Sequence, residues 1–157
     1  MHPSGNQSGL VILDVFCGCG GNAIAFAKHK DISLVIAVDN DQKKIEMAKH
    51  NALVYGIPKG KIIFLNADAI EVINCYSNGS ICSESDSISK DEKLPTHLDI
   101  IFLSPPWGGP EYLQKKTFDF VLNTRIQCST DKEITKSGFY LLQVAAKLAR
   151  KQMSNLK

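Results

Sequence analysis

The chain has 157 residues, of which 44% are hydrophobic and 22% are charged, and its formal net charge at pH 7 is +2. These values are ordinary for one small globular domain, so we expect residues 1–157 to share a single core. No apolar run in the sequence is long enough to span a membrane, and the polar start does not have the basic-then-apolar pattern of a signal peptide. A charge of +2 is too small to indicate nucleic-acid binding by itself.

The cysteines favour reduced thiols over a disulfide framework or a metal site. The sequence has five of them, at positions 17, 19, 75, 82 and 128. Cys17 and Cys19 are separated by one residue, and no second pair follows at zinc-finger spacing. We therefore expect no metal and a reducing compartment.

The first predicted strand is followed by a glycine-rich turn. The apolar residues 10–13 precede Asp14, a turn with three glycines occupies residues 16–22, and the alanine-rich residues 23–27 predict a helix. Strand, glycine turn and helix are typical of the nucleotide-binding start of an α/β sheet, because glycines let a ligand approach the backbone and the helix N-terminus faces it. A carboxylate at Asp14 would repel a pyrophosphate, but it would attract the ammonium and sulfonium groups of S-adenosylmethionine.

The next two predicted strands are also followed by acidic residues. Residues 34–38 are apolar and precede Asp39. Asp39 lies about 20 residues beyond the glycine turn, where a carboxylate commonly accepts the ribose hydroxyls of a nucleoside. The strand 62–65 is followed by Asp68, which is placed to accept the amino group of adenine. Because the carboxyl ends of parallel strands meet at one edge of a sheet, we expect Asp14, Asp39 and Asp68 to line one crevice.

Two helices have clear sequence signals. Asp41 is expected to cap the helix that follows the second strand, and this helix is expected to end at Gly56. Residues 138–153 return to helical spacing, with apolar or neutral side chains at Leu141, Ala145, Leu148 and Gln152.

A serine-rich segment separates the third helix from the fourth strand. From Tyr76 to His97 the chain is rich in serine and mixed charges and poor in apolar residues. This composition is typical of a low-complexity surface insertion, which has too little apolar area to bury on its own. Such a segment could bind a partner, but a tolerated insertion is the stronger interpretation.

The fourth predicted strand, residues 98–103, ends at Ser104, Pro105, Pro106 and Trp107. Two consecutive prolines fix the backbone and remove two N–H donors, so the carbonyls of this turn need donors from elsewhere. A flat exocyclic amine could supply them, with the Trp107 ring stacked on the ring that carries the amine. The structural alternative is a proline-rich strand exit with a half-buried tryptophan.

Together, the glycine turn and the proline turn make the chain similar to the trimethylguanosine synthase family, which hypermethylates the RNA cap. The resemblance runs from about Leu10 to the mid-130s and is carried by the stretches Asp14–Asn22, Val38–Asp39, Asn51–Ala52, Val54–Ile57 and Phe102–Tyr112. The part from Ser104 to Pro110 is highly specific. The glycine turn alone indicates only the class I methyltransferases.

This resemblance implies the Rossmann-like α/β fold of class I methyltransferases, with a mostly parallel sheet flanked by helices. A full sheet of that class has seven strands, whereas the sequence predicts about four. We therefore expect a truncated chain whose sheet has one open edge.

The resemblance also implies an activity and its partners. The enzyme would use S-adenosyl-L-methionine to convert the 7-methylguanosine cap of small nuclear and nucleolar RNAs to 2,2,7-trimethylguanosine. It would work in the nucleus, with the cytoplasm as a second compartment, and without a metal.

The matching motifs assign candidate site residues. The cofactor would be bound by Asp14, Phe16, Gly18, Gly20, Asn22, Asp39, Asp68 and Ser104. Catalysis would depend on Ser104, Pro105 and Trp107. The capped RNA would be bound by Pro106, Trp107 and Tyr112.

The implied reaction is direct in-line transfer of a methyl group to the N2 amine. A backbone carbonyl at Ser104 or Pro105 would orient the amine, and Trp107 would stack on the cationic 7-methylguanine.

Two alternatives stay open. The chain could be another amino-methyltransferase of ribosomal RNA or DNA, which the serine before Pro-Pro weighs against, or a non-catalytic chain that binds S-adenosylmethionine or RNA without turnover.

Overall fold

A computed structural model of the protein describes residues 9–78, 94–105, 125–128 and 131–154. The N-terminal part alternates strands and helices, as the sequence predicts. These elements are β1 (Leu10–Val15), α1 (Gly21–Ala27), β2 (Ile32–Asp39), α2 (Gln42–Val54), β3 (Ile62–Asn66), α3 (Ala69–Asn78) and β4 (Ile100–Leu103).

The four strands form one parallel sheet in the order β3-β2-β1-β4. Strand β1 therefore lies inside the sheet. The chain continues outward through β2 and β3 and returns to the other side of β1 with β4. The strand order reverses between β1 and β4, which is where open α/β sheets bind ligands, beyond the carboxyl ends of the strands. This topology confirms the predicted Rossmann-like fold with a parallel sheet of four strands.

Apolar side chains from successive strand residues fill two separate layers of core. On one face, Leu13 and Val15 of β1 pack in a cluster with residues of α3 and of a last helix, α4 (Gly138–Ser154). On the other face, Ile12 packs in a cluster with residues of α1 and α2. The alternation follows from the two-residue period of a strand, and it shows why all four strands are so rich in Val, Ile and Leu.

Helix α4 confirms the helical spacing found in the sequence. Leu141, Ala145 and Leu148 are buried, and the first and last of these lie in the cluster beneath α3. Lys151 in its last turn donates from Nζ to the carbonyl of Ser77, 2.6 Å away, near the C-terminus of α3. No helix among the described residues is long and apolar enough to cross a membrane.

A second, smaller sheet was not predicted. Strands β5 (Arg125–Cys128) and β6 (Asp131–Ser137) pair antiparallel with each other. Most residues of β6 are polar or charged, so the strand shows neither an apolar run nor a clear apolar alternation. The signal that identified β1 to β4 is absent there.

The predicted surface insertion from Tyr76 to His97 is too wide at both ends. Tyr76 and Ser77 continue α3 and are buried, and Leu94 is buried too. The buried face of α3 includes Tyr76 and Ser77. Because the segment is rich in serine, its sequence predicts a surface insertion there and not a buried helix face. Residues 79–93 lie outside the described residues, so the insertion itself stays a prediction.

Candidate functional site

The carboxyl ends of the four strands meet along one edge of the sheet. Asp14 is opposite Phe102 in the register of β1 and β4, and Asp39 is opposite Asn66 in the register of β2 and β3. The N–H of Ser104 continues the ladder beyond β4 by donating to the Val15 carbonyl at 3.2 Å. The candidate site is built on this edge.

The turn after β1 has an unusual backbone. Phe16 has a φ of +68°, a left-handed conformation that is strained for a residue with a side chain. Gly18 and Gly20 also have positive φ, which glycine adopts without strain. The Cys17 N–H donates to the carbonyl of Val38 at 2.8 Å, so the turn remains attached to β2.

The two positive-φ glycines of this turn have different surroundings. A Cβ atom at Gly20 would lie 2.9 Å from the Cβ of Ala48, because α2 packs directly against the turn. A Cβ atom at Gly18 would meet nothing within 4 Å. Gly20 is therefore needed for close packing, whereas Gly18 faces open space in which a ligand can approach the backbone.

Helix α1 begins at the end of this turn. Gly20 is its N-cap, and the Gly20 carbonyl accepts a hydrogen bond from the Ile24 N–H at 2.9 Å. Asn22 in the first turn is exposed.

Asp14 is the least satisfied polar group of the site. Its side chain is fully buried, and neither carboxylate oxygen makes a hydrogen bond of good geometry with the described residues. Burial raises the pKa of Asp14 to about 7; the Asp39 carboxylate adds to the increase, and the backbone N–H of Ala23 opposes it. Such a carboxylate can accept two hydrogen bonds from a cationic donor, and a positive charge would offset the cost of its ionisation.

Burial also controls the neighbouring thiol. It raises the pKa of Cys17 well above the usual range, and the carboxylates of Asp14 and Asp39 raise it further. The Cys17 thiol therefore stays protonated at neutral pH, and its Sγ lies 3.7 Å from the Gly18 carbonyl.

Asp39 links the glycine turn to α2. Its Oδ2 accepts from the Gly18 N–H and its Oδ1 accepts from the Asp41 N–H, both at 3.0 Å. The Lys44 ammonium lies 3.8 Å from Oδ1. Two fixed oxygens at the end of β2 leave acceptor capacity for hydroxyl donors, since each carboxylate oxygen accepts more than one hydrogen bond. Asp41 itself accepts from the N–H groups of Lys43 and Lys44, which confirms it as the N-cap of α2.

Asp68 has a structural contact that the sequence analysis did not assign. Its Oδ1 accepts from the N–H of Ile70 at 2.7 Å and of Glu71 at 3.1 Å, so it caps α3. Its predicted contact with adenine stays a prediction. A sequence signal for the cap existed, because Glu71 follows Asp68 by three residues in the pattern of a capping box.

The proline turn is described only at its start. Ser104 is half-buried and Pro105 is buried. Pro106, Trp107 and Tyr112 lie outside the described residues, so their roles stay predictions.

Two asparagines contribute to the site without having been assigned a role from the sequence. Asn51 of α2 donates from Nδ2 to the Cys19 carbonyl at 3.0 Å, and Asn66 donates from Nδ2 to the Asp39 carbonyl at 3.1 Å. Both bonds join an amide side chain to a distant backbone carbonyl. No local spacing identifies such a contact, although Asn51 lies within a stretch that carries the family resemblance.

Comparison with known proteins agrees with this geometry. The family described as RNA cap guanine-N2 methyltransferase matches residues 9–151, which is most of the chain. The chain belongs to this family. The matched range includes the glycine turn, the four strand ends and most of α4.

Two trimethylguanosine synthases of yeasts are similar to this member of the family. The protein of Schizosaccharomyces pombe is 38% identical over 108 residues, which are 69% of this chain and 38% of the yeast protein. The protein of Saccharomyces cerevisiae is 35% identical over 108 residues, which are 69% of this chain and 29% of that protein. The matched part of the chain thus corresponds to less than half the length of these relatives.

Among solved structures, a SAM-dependent methyltransferase of Agrobacterium tumefaciens matches with 27% identity and a TM-score of 0.41. The match covers 46% of this chain and 23% of that protein.

Proposed function

We propose that this chain binds S-adenosyl-L-methionine and uses it to methylate the N2 amine of the 7-methylguanosine RNA cap. The observation that carries the proposal is Asp14, a buried carboxylate without good hydrogen bonds beside the glycine turn, in a chain of this family. A buried ionised acid of this kind is costly unless a cation pairs with it.

The described residues fit S-adenosyl-L-methionine. Asp14 would accept the ammonium group, and Asp39 would accept the ribose hydroxyls. Gly18 leaves open space for the ligand at the turn. Asp68 would receive the adenine amino group on its carboxylate, since each carboxylate oxygen can accept more than one hydrogen bond.

When bound, the cofactor supplies a methyl group on a positively charged sulfur. Asp14 and Asp39 place negative charge at the end of the sheet where that cation is to be held, and their burial strengthens the attraction. Ser104 follows β4 directly, so its carbonyl or that of Pro105 would accept an N–H of the guanine amine and orient the nitrogen lone pair. Trp107 would hold the cationic base through its ring face.

The substrate would be the 7-methylguanosine cap of small nuclear and nucleolar RNAs, and the product 2,2,7-trimethylguanosine. By its family, we expect the enzyme to work in the nucleus, with the cytoplasm as a second compartment. Support comes from the family match and from the yeast relatives named trimethylguanosine synthase.

Isothermal titration with S-adenosyl-L-methionine tests the cofactor step. We expect the parent chain to bind, and Asp14→Asn to weaken binding by about 2 kcal/mol or more, because a charge-assisted contact is lost. Asp39→Ala should weaken it by about 1.5–3 kcal/mol for the same reason. The matched control is Asp31→Asn, which changes an exposed acid at the opposite edge of the sheet. No binding by the folded parent would refute the proposal.

Methylation of capped RNA tests the chemical step. Trp107→Ala should abolish product while leaving cofactor affinity nearly intact, and Trp107→Phe should keep part of the activity with a weaker preference for methylated caps. Cofactor binding without any product from the parent would instead identify a non-catalytic binding chain. Equal activity on methylated and unmethylated caps would refute the stacking of Trp107 on a cation.

A further inference from the structure

Helix α2 packs against the glycine turn of the candidate site at Ala48, and it also donates one side-chain hydrogen bond to the turn. Asn51, in the C-terminal half of α2, is half-buried, and its Nδ2 donates to the carbonyl of Cys19 at 3.0 Å. Cys19 stands between the two positive-φ glycines of the turn, so the bond reaches its centre. This side-chain hydrogen bond does not replace any backbone hydrogen bond of α2.

This bond restrains one particular peptide plane. The Cys19 carbonyl and the Gly20 N–H belong to the same planar peptide unit. Asn51 holds the carbonyl, while the Gly20 N–H donates to the Cys17 carbonyl at 3.0 Å. With both of its polar atoms bonded, the plane cannot rotate without breaking a hydrogen bond.

The orientation of this plane sets the direction of the neighbouring groups. On one side, the Gly18 N–H donates to Asp39, and on the other side Gly20 opens α1 above the buried Asp14. Glycines at both positions give the turn little conformational preference of its own. Its shape therefore depends on contacts from outside. From α2 these are the packing of Ala48 against Gly20 and the hydrogen bond of Asn51 to the Cys19 carbonyl.

We propose that Asn51 is a positioning residue for S-adenosyl-L-methionine, which fixes the Cys19–Gly20 peptide so that the turn is shaped for the cofactor before it binds. The inference rests on the proposed function, because the ligand is the same. An asparagine suits the role because its amide offers an N–H to a carbonyl at short reach. An aspartate of the same shape would turn an oxygen toward that carbonyl and repel it.

The test compares Asn51→Asp with Asn74→Asp by isothermal titration of S-adenosyl-L-methionine. Asn74 is a half-buried asparagine on α3, a helix on the other face of the sheet, so its variant has the same change in charge and shape. We expect Asn51→Asp to bind at least tenfold more weakly than the parent, and Asn74→Asp to bind within twofold of it. No binding by the parent refutes the proposed function, whereas equal binding by parent and Asn51→Asp overturns the positioning role alone.

Amide hydrogen exchange measured by NMR separates positioning from a general loss of stability. In Asn51→Ala without ligand, the Gly20 amide should exchange at least tenfold faster, while core amides of α2 such as that of Ala48 keep their protection. Equal acceleration of the Gly20 and Ala48 amides would show that Asn51 only stabilises the helix, and would overturn the proposal even if Asn51→Asp failed to fold.

Discussion

Asp14 at the end of β1 and Asp68 just beyond β3 are both almost completely buried, with exposed fractions of 0% and 4%. Asp68 accepts two backbone hydrogen bonds from the helix that follows it, whereas neither oxygen of Asp14 makes a bond of good geometry. The same difference appears in the backbone, since positive φ angles occur after β1 and not after β3. The acid at the end of β3 is hydrogen-bonded by the helix that follows it, whereas the acid at the end of β1 lacks well-formed hydrogen bonds to the described residues.

The two strand ends differ in their contribution to the stability of the folded chain. A helix cap lowers the free energy of the folded chain directly. A buried carboxylate without well-formed hydrogen bonds and a residue with strained φ raise this free energy. Such features persist where the rest of the structure holds them in place. The α/β frame supplies that support here, because β1 is paired on both sides, to β2 and to β4. The four predictions below test whether the two strand ends differ in this way.

The largest effect is expected for Gly20→Ala. The new Cβ would clash with Ala48 of α2 and would sit at a φ of +86°. Left-handed backbone costs about 1–2 kcal/mol and overpacking about 1–3 kcal/mol, so we expect the free energy of unfolding to fall by about 3 kcal/mol. Urea denaturation followed by circular dichroism measures it.

The matched control for this change is Gly56→Ala, which has a φ of +68° but no atom within 4 Å of the new Cβ. It should lose only about 1 kcal/mol, the cost of the left-handed backbone. Equal losses in the two variants would show that the turn after β1 is not held by its packing against α2.

The second effect concerns Asp14 and has the opposite sign. At pH 8 and without ligand, Asp14→Asn should raise the free energy of unfolding by about 2 kcal/mol, because it removes an ionised, buried carboxylate. The gain is smaller than the whole ionisation cost, since the buried amide also lacks partners. The same variant is expected to bind S-adenosyl-L-methionine more weakly, so stability and binding should change in opposite directions.

The pH dependence of this gain follows from the pKa of Asp14. Its folded value of about 7 lies above its ordinary value of 3.8, so the folded chain binds the proton more tightly than the unfolded chain. The resulting stabilisation is complete below pH 3.8 and is lost as the pH rises toward 7. The advantage of Asp14→Asn should therefore grow between pH 5 and pH 8. Asp39 and Cys17 face the same group, and both are present in parent and variant. A difference that does not change with pH would contradict the raised pKa.

The sequence predicts where both strand ends lie, but it does not predict which of the two acids lacks hydrogen-bond partners. Apolar runs predict β1 to β4, because strands buried on both faces need continuous Val, Ile and Leu, and the positions of Asp14, Asp39 and Asp68 follow from the strand ends. Asp41 was predicted as a cap from its place before a helix. The missing partners of Asp14 could not be predicted, because they depend on how α1 and β2 pack around it.

Other features could not be predicted from the sequence, for separate physical reasons. Strand β6 has no apolar run, since most of its residues are polar or charged. The bonds of Asn51 and Asn66 join side chains to backbone carbonyls far along the chain, and no residue spacing constrains them. Sequence patterns thus locate the site on the sheet edge, and the three-dimensional contacts determine which groups there are satisfied.

The third effect tests the completed strand end. Asp68→Ala should lower the free energy of unfolding by about 1–2 kcal/mol, because α3 loses its N-cap. Asp68→Ser keeps an oxygen that can cap the helix and should recover most of that stability. Thermal denaturation compares the two variants. If Asp68→Ser is as unstable as Asp68→Ala, the stabilising role of Asp68 is not capping.

Asp68→Ser also separates the cap from the predicted adenine contact. It removes the carboxylate while it leaves the helix start intact. Titration with S-adenosyl-L-methionine should then show weaker binding if Asp68 receives the adenine amino group. Unchanged affinity would leave the end of β3 with a purely structural role.

The smallest effect is expected at the other end of α3. The Lys151 ammonium donates to the Ser77 carbonyl near the C-terminus of this helix, where a positive charge is favoured by the helix dipole. Lys151→Met should lower the free energy of unfolding by about 0.5–1 kcal/mol, because one charged hydrogen bond and its dipole interaction are lost while the apolar part of the side chain is kept. Lys147→Met removes the same charge from an exposed position of α4 and should change stability by less than about 0.5 kcal/mol. Chemical denaturation at low and high salt distinguishes them, since screening should reduce the loss in Lys151→Met. Equal and salt-independent losses of stability in the two variants would mean that the Lys151 hydrogen bond does not stabilise the C-terminus of α3.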